Sequence, residues 1–288
     1  MGVSLVLSAK RGYDLKAVVR KGLIFIVFGL VFVNFWPGDI LHYLGLYMII
    51  GFVLLRFGRW VRTGIAAGFI FLAPVVLKFI DFRSGWEVFA LTFSNFWSVQ
   101  GFFSNLIVNG FFPMFPWLGY TIAGTVIADW MLDTKGEDFG MFGTFIGLSM
   151  AAVGFFVNYT TEYQLTAFPA NIVYVIYTLG LFLMIFSVMY LLLDVHKVGN
   201  KAFSPIVMWG SSSLSAYLIH IGLGISIFSL TGMLHSFSIM QVVGLSLIML
   251  FVLWVLAFVS FKKWKYGPVE HLLRKVLKSF SVSSEHKS

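Results

Sequence analysis

Eight apolar runs follow one another along this chain, at 20–36, 39–57, 63–80, 113–132, 140–157, 169–193, 205–230 and 239–261. Each has roughly the 17–25 residues that one bilayer crossing requires. A water-soluble fold cannot hide them. The chain is 59% hydrophobic and 11% charged, with a mean hydropathy of +0.91, whereas a soluble domain carries about 25% charged residues. The solvent for most of this surface must be lipid. The expected fold is all-α, a polytopic transmembrane bundle of about eight spanning helices.

The basic residues fix a sidedness for that count. With the N-terminus inside, the cytoplasmic segments hold Lys10, Arg11, Lys16, Arg20 and Lys21, then Arg56, Arg59 and Arg62, then Lys135, then Lys197 and Lys201. Seven more lie in the tail between Lys262 and Lys287, leaving only Lys78 and Arg83 on the other face. This is the bias of the positive-inside rule, and a helix too many or too few would scramble it. Both termini are therefore expected in the cytoplasm. The net charge of +8 reads as orientation and contact with anionic lipid, not as nucleic-acid binding. With no repeat and no low-complexity linker, the chain reads as one domain over 1–288. A lead-in occupies 1–19, the spans 20–261 and a basic cytoplasmic tail 262–288. Residues 1–9 are apolar but too short for a signal peptide and lack its basic start. The absence of cysteine excludes disulfides, thiolate metal sites and a cysteine nucleophile; no metal site is expected.

Punctuation within the runs is informative. Gly64 with Gly68, and Gly143 with Gly147 and Ala151, have the spacing that lets helix backbones approach closely. The stretch FFPMFPWLGY at 111–120 reads as the outer entry into the fourth span, because proline is tolerated in a first helical turn. Trp117 and Tyr120 there suit the interfacial belt. The preceding 86–110 segment is aromatic but interrupted by Asn95, Gln100, Gly101, Asn105 and Asn109. It reads as an outer loop with an interfacial or re-entrant piece.

Ionisable groups at depth each call for a role. His220 falls near the middle of the 205–230 run, either as a neutral histidine bonded between helices or as a proton-handling group. Asp39 and His42 are three apart and share a helix face. They form either a dipole-stabilised N-terminal acid beside an interfacial histidine, or a carboxylate–imidazole pair able to take a proton. Lys78 reads as snorkelling, Asp81 and Arg83 as a solvated pair, and His235 as a loop residue. Arg56, Arg59 and Arg62 recur at three-residue spacing, which suits topology determination or the phosphates of an anionic cofactor such as coenzyme A. No P-loop, zincin or hydrolase-elbow motif is present.

Several segments together resemble one family. FFPMFPWLGYTIAGTVIADW is similar to the "FPxFPWLGY" helix of membrane acyltransferases of the heparan-alpha-glucosaminide N-acetyltransferase type. LVFVNFWPGDILHYLGLYMIIGF resembles the hairpin of that group and its bacterial YeiB-like relatives. SPIVMWGSSSLSAYLIH resembles the late "G-x-x-SL-x-x-Y-x-x-H" helix, and GPVEHLLRKV resembles "GPLEWLLR", with His271 where tryptophan is usual. The likeness covers nearly the whole chain, and the order of the motifs is more specific than any one of them.

The resemblance implies a multi-pass protein of the cell membrane. It would take an acetyl or other acyl group from acyl-coenzyme A on the cytoplasmic side to a sugar or envelope acceptor on the far side. Under that acyltransferase reading, Asp39 and His42 are expected at the acceptor side and His220 in the central cavity. Arg56, Arg59 and Arg62 would meet the cofactor phosphates, and Ser211, Ser212 and Ser213 would line the inner mouth. One departure limits it. The segment 2–8, GVSLVLS, matches only the end of the family's second helix. The family's first helix and the outer loop with its catalytic histidine have no counterpart in this sequence, so no histidine inherits that role by alignment. A homodimer, a separately encoded N-terminal partner or a non-catalytic chain therefore stand beside the enzyme reading. A small-solute transporter is a further alternative, although no inverted repeat supports it.

Overall fold

The computed structural model describes residues 1–87, 92–198, 203–225, 228, 231–232 and 236–285. His235 and Lys201 lie outside the described residues. The chain forms two compact units, Met1–Val198 and Gly199–Ser288.

In the first unit the elements run α1 (Gly2–Lys10), α2 (Leu15–Phe32), α3 (Leu41–Leu54) and α4 (Arg59–Phe79). A two-stranded hairpin follows, β1 (Trp86–Glu87) against β2 (Thr92–Phe93), and then α5 (Val99–Ser104) with a π-helical turn at Asn105–Asn109. The unit continues through α6 (Met114–Asp133), α7 (Gly136–Thr160) and α8 (Ile172–Tyr190), which ends in a second π-helical turn, Leu191–Val195. The helices pack as neighbours α2 with α3, α4 with α6 and α7 with α8, while α1 lies along α6. Tyr43, Tyr47, Ala66, Leu118 and Ile122 form the central core where α3, α4 and α6 meet.

Small residues set these distances. A methyl on Gly22 of α2 would strike Ile49 and the Gly45 carbonyl of α3. Methyls on Gly143 and Gly147 of α7 would strike Ser187, Met184 and the Gly180 carbonyl of α8, as the spacing of that stripe requires. Gly64 and Gly68 behave differently: a methyl on either meets open space, so this pair mediates no packing among the described residues.

The second unit holds α9 (Ser204–Gly210), α10 (Ser213–Ile219), a π-helical turn at His220–Ile225, α11 (Ile239–Trp264) and α12 (Pro268–Glu285). Ser238 starts α11 with a reciprocal capping box, its amide donating to Gln241 Oε1 at 2.9 Å, which satisfies two otherwise orphaned donors.

Among the described residues, four helical segments are long and apolar enough to cross a membrane: Arg59–Phe79, Gly136–Thr160, Ile172–Val195 and Ile239–Trp264. Val99–Asn109 with Met114–Asp133, bent by 54°, forms a fifth as a broken span or re-entrant loop. This is a multi-pass, predominantly helical membrane protein. The eight expected runs are not eight unbroken helices. The 39–57 run contracts to the 14 residues of α3. The 20–36 run enters a helix that starts earlier, at Leu15, takes in Lys16 and ends at Phe32, short of Trp36. The 205–230 run breaks at Ser211 and Ser212, where the Ser211 hydroxyl bonds the Met208 carbonyl. At the entrance to α6, Phe115 is non-helical (φ −98°, ψ 114°), as expected for a residue preceding proline.

Candidate functional site

At one end of the first unit, α2 and α3 approach so closely that a methyl on Gly29 would strike the His42 backbone and Asp39 Oδ2. The turn between them delivers Asp39 to the start of α3, where Oδ2 accepts the Leu41 N–H at 2.9 Å. The same oxygen lies 3.4 Å from His42 Nδ1. Asp39 is 0% and His42 3% exposed. His42 Nε2 is buried and has no hydrogen-bond partner among the described residues. A proton on Nδ1 is donated to the carboxylate, which leaves Nε2 with a lone pair able to accept another.

An aromatic and amide shell surrounds this pair. The Tyr43 ring lies 3.9 Å from the imidazole, and Phe96 meets it edge-on at 6.0 Å. Tyr43 donates its hydroxyl proton to Asn105 Oδ1, and Tyr47 donates to the Phe112 carbonyl at 2.5 Å. The hairpin closes over the same end. Trp86 Nε1 donates to the Asn109 carbonyl at 2.5 Å, and Asn109 Nδ2 donates to the Ser84 carbonyl at 2.7 Å. Trp86 also meets Phe93, Phe111 and Phe168 edge-on. Asn105, Asn109 and Tyr43 were not singled out as site residues from the sequence. The signal was there, in amides interrupting an aromatic stretch, each of which needs a buried partner.

Trp117 and Tyr120 are half-buried. Trp117 packs on the central core, and the Tyr120 hydroxyl lies 2.6 Å from Thr178 Oγ1 of α8. Asp81 accepts the Arg83 N–H at 2.9 Å. The two side chains form no ion pair, because the carboxylate is turned back to its own loop.

At the opposite end of α3, about 21 Å away for 14 residues at 1.5 Å each, lie the arginines. Arg62 is 4% exposed. It bonds Asp129 through Nη2 and the Phe57 carbonyl through Nε at 3.1 Å, while Nη1 is buried without a partner among the described residues. Arg59 reaches Asp133 at 3.2 Å, the two side chains being 38% and 63% exposed. Arg56 is exposed beside the Phe57 ring. Asp129 and Asp133 are spaced four apart on α6, so they meet the three-residue spacing of Arg59 and Arg62 on α4.

The remaining candidates belong to the second unit. Ser211 Oγ donates to the Met208 carbonyl at 2.7 Å, Ser212 is buried with its hydroxyl unpartnered among the described residues, and Ser213 is exposed. His220 is exposed where α10 passes into the π-helical turn. Glu270 gathers this region. Its Oε1 accepts the Leu214 and Ser215 N–H groups at 2.7 and 3.1 Å, and its Oε2 accepts the Ser215 hydroxyl. A carboxylate at a helix N-terminus satisfies free donors and complements the dipole. The GSSSLSAY and GPVEHLLR segments are thus one interlocked feature, and His271 stacks on Trp264 at 5.1 Å. Among the described residues no group of three or more potential ligands could hold a metal ion.

Comparison with known families gives two matches. Residues 137–279 match a protein family of unknown function, DUF418. Residues 1–160 match the heparan-alpha-glucosaminide N-acetyltransferase catalytic family. No curated protein and no solved structure matches the chain. The second family match spans more than half of the 288 residues, and the chain belongs to the heparan-alpha-glucosaminide N-acetyltransferase catalytic family.

Proposed function

We propose that this protein moves an acyl group from acyl-coenzyme A, bound at the arginine end of the first unit, to a saccharide or envelope acceptor at the Asp39–His42 end. One observation carries the reading: a fully buried carboxylate orients a buried imidazole whose second nitrogen has no partner among the described residues. An unbonded buried nitrogen costs free energy, and an incoming hydroxyl or amine would relieve that cost.

In the proposed step, the acceptor proton passes to His42 Nε2 as the acceptor heteroatom bonds the thioester carbonyl carbon. The carbon–sulfur bond then breaks, and the thiolate leaves to be protonated by the imidazolium. Asp39 stabilises the imidazolium and holds the ring in register. Exposed Arg56, and half-exposed Arg59 on giving up its solvated pair with Asp133, would meet the cofactor phosphates. Arg62 holds α4 against α6 through Asp129. The acyl arm must then travel the length of α3, with the arginine end cytoplasmic and the outer end facing the acceptor. His220, with Ser211 to Ser213, is the second candidate polar group, carried by the other unit.

The test uses purified protein in lipid nanodiscs, acetyl-coenzyme A and an amino-sugar acceptor, with released thiol read by a chromogenic disulfide. The chain has no cysteine, so the signal reports coenzyme A alone. Acceptor-dependent thiol release that His42→Ala abolishes supports the reading. Release unchanged in folded His42→Ala and Asp39→Asn proteins overturns it. Binding of the cofactor is tested by Arg56→Ala with Arg59→Ala, because Arg62→Ala would also remove a structural contact.

A further inference from the structure

The most apolar span, α11, ends in a basic and aromatic collar. Lys262 lies over the Phe258 ring at 4.3 Å, Lys263 over Trp264 at 4.9 Å and Lys265 over Phe261 at 5.4 Å. Cations beside aromatic rings at the end of a span mark headgroup depth. Lys265 then takes a left-handed conformation (φ 64°), and α12 starts three residues later at the same level.

The rotational setting of α12 about its own axis is fixed. Glu270 is locked to the start of α10, and Val269 N–H donates to Ser215 Oγ at 2.9 Å. Gly267 admits no side chain, since a methyl there would strike Glu270 and Ser215. Leu273 and Leu277 are half-buried, but Leu272 and Val276, four apart on one stripe, are 60% and 37% exposed. Arg274 lies over the Tyr266 ring at 3.6 Å, and Lys275 is exposed on the flank of the stripe. Between 262 and 277 the acidic residue is Glu270, whose charge is spent on α10, against Lys262, Lys263, Lys265, Arg274 and Lys275.

A water-facing helix has no reason to expose such a stripe to solvent. A helix lying in the interface does, because its apolar face enters the acyl boundary while its cations meet the headgroups. We propose that the face of α12 carrying Leu272, Val276 and Lys275, together with the Lys262–Lys265 collar, is a binding site for anionic phospholipid headgroups of the adjoining leaflet. Glu270 ties this site to α10, so lipid bound along α12 bears on the helix that ends at His220.

The absence of native cysteine permits a direct test on the full chain. Leu272→Cys and Val276→Cys are each placed in nanodiscs of phosphatidylcholine, with or without phosphatidylglycerol, and reacted with an uncharged water-soluble maleimide. Two sites guard against one disturbing the helix. Phosphatidylglycerol is expected to slow labelling at both by roughly fivefold or more, given the attraction of several cations to an anionic surface. Adding Lys262→Gln, Lys263→Gln and Lys275→Gln is expected to erase the difference. Equal rates in the two discs, fast or slow, overturn the site. A difference that survives the three glutamines also overturns it, by assigning the protection to the apolar stripe alone.

Discussion

Asp39 Oδ2 accepts the Leu41 N–H and lies 3.4 Å from His42 Nδ1, so a single carboxylate oxygen both starts α3 and orients the imidazole. The two duties separate on mutation. Asparagine at position 39 keeps an acceptor for the Leu41 N–H but cannot stabilise an imidazolium. Asp39→Asn is therefore expected to retain near-wild-type thermal stability in detergent while acyl transfer falls by about 10²-fold or more, in the range of positioned acid–base groups. Parallel loss of stability and activity would assign Asp39 to architecture alone.

The close approach of α2 to this pair gives a second expectation. A methyl at Gly29 collides with the His42 backbone and with Asp39 Oδ2, neither of which is the free end of a flexible side chain. Gly29→Ala should destabilise the protein by about 1–3 kcal/mol as an overpacked contact and should lower activity beyond that loss, because α3 must shift. Gly64→Ala, which meets open space, serves as the control. Apparent Tm and turnover of the two variants in the same detergent make the comparison.

The pairs Arg62–Asp129 and Arg59–Asp133 join the same two helices but differ in solvent access. Asp129→Ala leaves the buried guanidinium of Arg62 without its anion, and the expected cost is about 3–5 kcal/mol. Asp133→Ala exposes a pair already half in solvent, and under about 1 kcal/mol is expected. High salt should narrow the second effect and leave the first. Similar Tm shifts for the two alanine variants would contradict the burial argument.

These relationships differ in how far the sequence discloses them. Membrane class followed directly from run length, and Asp39 with His42 was visible because three residues on one helix turn are neighbours by geometry. The Gly143–Gly147 stripe predicted a tight helix contact that α7 and α8 make. The identical logic at Gly64 and Gly68 did not hold, since spacing identifies a surface that can pack without identifying a partner. Tyr43 with Asn105 are 62 positions apart, Arg62 with Asp129 67, and Ser215 with Glu270 55. Each exists only because particular helices are adjacent, information that no local pattern contains. The break at Ser211 and Ser212 was hidden by a run hydrophobic enough to read as one span.

The Glu270 lock supplies the last expectation. Three donors from α10 converge on one carboxylate, and charge-assisted bonds of this kind exceed neutral ones in strength. Glu270→Gln keeps an acceptor for the backbone amides but loses the charge, so about 1 kcal/mol is expected. Glu270→Ala leaves all three donors unpaired and should cost about 2 kcal/mol, the upper end for lost helix caps. Ser215→Ala removes the hydroxyl and frees the Val269 N–H, so Ser215→Ala and Glu270→Ala should be strongly non-additive when combined. Hydrogen exchange over 213–219 is the measurement: faster exchange confined to that segment supports a local cap, while uniform acceleration across both units would assign Glu270 a global role.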